Sequence, residues 1–138
     1  MSPLPLPLPS DGIDFKSPRL AEEWRSPLLP QLLRDLTLWL AARRLAGTGR
    51  RSVVTCIFRT FAENRALAAK SLTHVEWRAV DVRAVAAVLP FEERLRVEMT
   101  SRFPTGVKLP RVPPLDHGTG LHYHIQVTRE ETERKGLA

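Results

Sequence analysis

In "SPLLPQLLRDLTLWLAARRLAG" the apolar positions Leu29, Leu32, Leu33, Leu36 and Leu40 recur at helical spacing, which predicts an amphipathic helix with one leucine-lined face. Ser26 suits its cap, Pro27 its first turn, and Gly47 its close, with Arg43 and Arg44 near the negative end. "SVVTCIF" is a short β-branched run and reads as a buried strand, as does "RAVDV". Between them, "TFAENRALAAK" carries Thr60 and Glu63 at capping-box spacing and reads as a short helix. "PFEERLRVEMTSRF" is a second amphipathic helix, with Phe91, Leu95, Met99 and Phe103 near one face. "PTGVKLPRVPPLDHGTG" reads as a long Pro/Gly loop, and "LHYHIQV" as a final alternating strand. The mixture predicts an α+β fold, organised as a Pro-rich arm over 1–25, one domain over 26–130 and a charged tail over 131–138.

A strand sends alternate side chains to one face. His122, His124 and Gln126 therefore point one way, and Tyr123, Ile125 and Val127 point toward the core. The fourth histidine, His74, precedes a predicted strand that holds Asp81 seven positions later. Two imidazoles and a carboxylate with an open fourth position make a zinc site of the catalytic kind, whereas an isolated H-x-H strand is also compatible with a solvated or hydrogen-bonded pair.

Composition narrows the chemistry. The chain has 138 residues, 43% hydrophobic and 26% charged, enough for one domain with a core. The single cysteine, Cys56, excludes an internal disulfide and a Cys-rich zinc site, so a metal is expected to rest on His and carboxylate. The net charge of +6 permits acidic polymers as partners, but the arginines are scattered among acids, as in "FEERLRVEMTSR", and nucleic acid is not expected. No stretch reaches the ~20 apolar residues of a membrane span. "MSPLPLPLPS" lacks a basic n-region and its prolines forbid a helical h-region, so no secretory signal is read and the chain is expected in the cytoplasm as synthesised. The same prolines suggest a polyproline-like arm, either disordered or laid on a partner.

The segment "VVTCIFRTFAENRALAAKSLTHVEWRAVDV", with the later "LHYHIQV", resembles the signature of the D-alanyl-D-alanine metallopeptidase family, whose fold is shared with hedgehog signalling domains. In that family a strand ends in a turn bearing an arginine, a helix follows, then S-x-H-x-x-G-x-A-x-D, then a late strand with the last ligand histidine. Arg59, His74, Ala79, Asp81 and His124 match those positions, and the resemblance covers roughly residues 52–127. It implies a small antiparallel sheet with helices packed on it, and Zn2+ held by His74, Asp81 and His124. It implies that zinc polarises a peptide carbonyl and acidifies water, while Arg59 contacts the substrate. An ion pair with Glu63 is the plainer role for Arg59.

The chain departs from the family pattern at three places, the first being the bulky "CIF" where the family's turn has glycine. Trp77 stands where the family has glycine, and Leu121 stands where many members carry a carboxylate general base. The base is then expected at His122, with Asp116 and His117 as reserves and Glu76 behind them, because an imidazole takes up a proton near neutrality. The expected activity is a peptidase on peptidoglycan peptides, carboxypeptidase or endopeptidase. The alternative is an inactive member of the fold in a phage or prophage virion or tail, reaching its partner through the Pro-rich arm. Either way the protein is expected to be virion-associated or released at lysis.

Overall fold

The computed structural model describes residues 12–69, 71–103, 107–108 and 121–130. Within these lie β1 (Ile13–Phe15), α1 (Pro18–Trp24), α2 (Gln31–Thr48), β2 (Ser52–Cys56), α3 (Phe61–Ala66), β3 (Ala79–Ala84), α4 (Leu89–Arg102), β4 (Val107–Lys108) and β5 (His122–Val127). The strands form one five-stranded sheet in the order β1-β2-β3-β5-β4. The α+β class stands, but the sheet is mixed and not antiparallel throughout. β1 runs parallel to β2, while the other pairs are antiparallel. The parallel pair follows from the chain between them: a parallel return needs a crossover, and α1 and α2 supply it.

This also corrects the extent of the N-terminal arm. Ser17 caps α1 by accepting from the Leu20 amide at 3.3 Å, with Pro18 in the first turn. Trp24 is fully buried and its ring lies 5.6 Å from that of Phe15. Residues 13–24 therefore belong to the domain, because two aromatic rings found a place in its core. Residues 1–11 and the tail from 131 lie outside the described residues.

The leucine stripe of α2 is the centre of the core. Leu29, Leu32, Leu33, Leu36 and Leu40 are all buried, against Tyr123, Ile125 and Val127 on one face of the sheet. The helix begins later than the pattern suggested: Pro30 is its N-cap, and the Ser26 hydroxyl accepts from the Leu28 amide in the preceding turn. It ends at Gly49, whose φ of 70° is left-handed, a conformation glycine adopts without a Cβ penalty. Gly47 instead lies inside α2, where any Cβ would run into the Phe91 ring of α4.

The side chain of Arg44, expected near a helix end, is completely buried. Its guanidinium binds Glu92 at 2.8 and 3.0 Å, the Arg51 carbonyl at 2.7 Å, Ser52 Oγ at 3.0 Å and the Val85 carbonyl at 3.0 Å. The Tyr123 hydroxyl donates to the Glu92 carboxylate at 2.8 Å, and burial followed by this contact pushes the phenol well above its ordinary range. This network ties α2, α4 and β5 together and pins Tyr123 on the core side. No helix among the described residues is long and apolar enough to cross a membrane.

Candidate metal centre

Three strands bring one row of side chains together on the face of the sheet opposite α2. Cys56 is in register with Asp81, and Asp81 with His124. Two residues along the same face, Arg83 is in register with His122. On β5 burial alternates strictly, with Tyr123, Ile125 and Val127 buried and His122, His124 and Gln126 half-buried. The row is reached from β2 through a register shift between Val54 and Cys56. Such a bulge re-aims the strand end. Beyond it, Thr60 and Glu63 form the expected capping box that starts α3.

His74 arrives from the turn before β3 and is almost wholly buried. The turn closes through hydrogen bonds from the Trp77 amide to the His74 carbonyl at 3.3 Å and from Arg78 to Thr73 at 2.7 Å. It forces Trp77 to a φ of 59°. That region suits glycine, and a bulky residue there bears strain. Trp77 is retained by stacking on Phe58, with ring centroids 4.8 Å apart and planes 17° from parallel.

The Asp81 carboxylate is the hub. Its Oδ1 lies 2.7 Å from His124 Nδ1, and its Oδ2 lies 3.1 Å from His74 Nε2 and 3.8 Å from the Arg59 guanidinium. The outer nitrogens of both imidazoles are already committed. His74 Nδ1 is 3.0 Å from the Ile57 carbonyl, which only accepts, so Nδ1 carries a proton. His124 Nε2 is 2.9 Å from Gln126 Oε1, which likewise accepts. If the rings are neutral, both inner nitrogens present lone pairs to a carboxylate that has no proton to give. His74 Nε2 is in fact a buried atom without a hydrogen-bond partner, since its approach to Asp81 is off the line a hydrogen bond needs.

One arrangement that relieves this is extra positive charge on the rings; the other is a cation among them. Burial disfavours a charged His74, but Asp81 and then Cys56 outweigh burial and push its pKa up to about 10. Burial likewise opposes the Asp81 charge, yet His124 and His74 hold its carboxyl far below the ordinary range. Without a metal, therefore, the cluster holds a proton. With one, the imidazoles and the carboxylate would offer nitrogen and oxygen donors, and the acceptor behind each ring would set its tautomer.

Cys56 widens the donor set beyond His and carboxylate. Its Sγ lies 3.5 Å from His74 Nδ1, and the ligand atoms of Cys56, His74 and Asp81 lie within 4.8 Å of one another, so this group could hold a metal ion. The sequence offered a signal for Cys56 only in its position at the end of a strand, three residues before Arg59. Gln126 was legible as sharing the His124 face, but its hold on the imidazole was not.

The remaining site residues are distributed as follows. Arg59 does not pair with Glu63, which is taken by Arg19 at 2.8 Å; it lies instead 3.5 Å from Asn64 Oδ1, in reach of Asp81. His122 lines a cleft of about 330 Å³ together with Asp81, Arg59, Cys56 and Arg83. Leu121 is buried. Glu76 is engaged by Arg78 and Arg129 at 2.8 and 2.6 Å. Asp116 and His117 lie outside the described residues. No known protein family, curated protein or solved structure matches the chain.

Proposed function

We propose that the chain is a zinc-dependent peptidase-like domain of the D-alanyl-D-alanine metallopeptidase type, acting on peptidoglycan peptides. The observation that carries this reading is the convergence of His74 Nε2 and His124 Nδ1 on Asp81, with both outer nitrogens held by acceptors. The left-handed backbone at Trp77 adds support, because the family's motif has glycine at that position, where glycine is the residue at ease. Zinc held by His74, Asp81 and His124 would supply Lewis acidity that polarises a carbonyl and acidifies water.

The chain's own residues supply the rest. Arg59 offers a planar, permanently charged fork at the cleft to orient a carboxylate or carbonyl. His122, on the same strand face as His124, is the group at the cleft wall able to hold or move a proton at an imidazole nitrogen. Elemental analysis of protein purified without chelator, with release of D-alanine or cross-link peptides from cell wall, tests the reading. The expected result is one zinc per chain, lost in Asp81→Ala together with activity. Metal near zero, with no gain in melting temperature on adding zinc, would sink it.

A specific observation keeps the second reading in play. Leu121 is buried where the family's carboxylate base would stand. An inactive, metal-bearing member of the fold, serving in a virion or tail, fits that loss. Zinc-loaded protein inert on several peptidoglycan chemistries would favour it.

A further inference from the structure

The cleft beside the metal centre carries more positive charge than orienting one carboxylate requires. Among the described residues its wall includes Lys16, Arg59 and Arg83, with Asp81 as the carboxylate. Asp81 is fully occupied with His74, His124 and Arg59, so it does not neutralise the other two cations. Among the described residues neither Lys16 nor Arg83 has an ion-pair partner.

The fold holds both in place. The Lys16 amide donates to the Val54 carbonyl at 3.0 Å, which carries the β1–β2 pairing one residue beyond β1. Arg83 is exposed, lies in register with Val53 and His122, and sits two positions from Asp81, hence on the same face. The two cations thus line the cleft from the end of β1 and from β3. Cations that have no carboxylate partner among the described residues are complementary to an anion that arrives with the ligand.

We infer that Lys16 and Arg83 form an anion subsite that selects peptides bearing a free carboxylate away from the bond to be cut. This rests on the peptidase reading and deepens it. The substrate class becomes an acidic stem peptide, and its amidated counterpart is discriminated against. Guanidinium and ammonium donors to a carboxylate are charge-assisted hydrogen bonds, and at an exposed site each is worth up to about five-fold in affinity, so the two together give about ten-fold.

The test uses the full chain, zinc-loaded and chelator-treated, and fluorescence anisotropy. The probes are fluorescein-labelled L-Ala-γ-D-Glu-L-Lys-D-Ala-D-Ala and the same peptide with the D-Glu α-carboxylate amidated. Wild type is expected to prefer the free acid by about ten-fold or more, a preference that shrinks with salt. Lys16→Gln and Arg83→Gln should each reduce it, and the double variant should abolish it. Arg83→Glu should invert it toward a peptide with Lys in place of D-Glu, a gain that a misfolded variant cannot produce. Equal affinity for acid and amide in wild type, no binding of either, or a preference that survives the double variant would overturn the subsite. Tighter binding of a single-stranded oligonucleotide than of the acidic peptide would also overturn it. Charge preference intact in a protein that binds no zinc would sink the peptidase reading alone, whereas zinc and activity without charge preference would sink the subsite alone.

Discussion

Replacing Arg44 with methionine tests how the histidine strand is held. The substitution removes a guanidinium that is 0% exposed and leaves the Glu92 carboxylate, 1% exposed, without its counter-charge. Breaking a buried pair by deleting one partner typically costs about 3–5 kcal/mol, because the other charge stays desolvated. Here the carboxylate keeps two donors, the Tyr123 hydroxyl at 2.8 Å and the Val88 amide at 3.1 Å, which places the loss near the lower end, about 3 kcal/mol. An unfolding entropy of about 2.1 cal/mol/K per residue turns that into a fall of roughly 10 °C in melting temperature for a chain of this length. Urea unfolding followed by tryptophan fluorescence, with a parallel thermal melt, measures both. The double variant Arg44→Met/Glu92→Met should recover most of the loss, since no charge is then left buried. A single variant that loses less than about 1 kcal/mol, or a double variant as unstable as the single, would refute the account.

Gln126→Leu should weaken zinc binding by about 10–100-fold with little change in fold, because it removes only the acceptor behind His124; competition with a chromogenic chelator measures it. In the chelator-stripped protein, His74 has a folded pKa near 10, above its unfolded value of 6.5, so its contribution to stability is full below about pH 6.5 and is lost as pH rises toward 10. The Asp81 carboxyl is depressed in the fold, so its contribution is present above pH 3.8 and lost as pH falls below that. Zinc requires neutral imidazoles, so the rise in melting temperature on adding zinc should grow from pH 6 to pH 9 while the metal-free melting temperature declines. A metal-free melting temperature flat across that range would contradict the charge assignment. Trp77→Gly relieves about 1–2 kcal/mol of left-handed strain. It also forfeits about 0.5–1.5 kcal/mol of ring stacking on Phe58, plus the apolar area of a half-buried indole. Chemical denaturation should therefore show net destabilisation, and a more stable variant would show that strain dominates.

Much of the protein is legible locally. The leucine stripe of α2, the β-branched run of β2, the Thr60–Glu63 box and the alternation of β5 are patterns whose period is set by backbone geometry, so residues near in sequence suffice to read them. The same periodicity put His122, His124 and Gln126 on one face, and the seven-residue spacing flagged His74 with Asp81. What needed tertiary structure was everything decided by partners far along the chain. "IDF" is too short to declare itself a strand until β2 pairs with it, and the helix at Pro18–Trp24 is recognisable only once the core accepts Trp24. Arg44 looked like a helix-end cation because its partner Glu92 lies 48 residues away. Cys56 became a neighbour of His74, and Ile57 and Gln126 became the acceptors that set two imidazoles, only when three strands and a turn met. Sequence alone determined which side chains were available and which face each would take. The long-range packing decided which of them share a charge, since Coulomb and hydrogen-bond energies depend on distances in space that spacing along the chain does not contain.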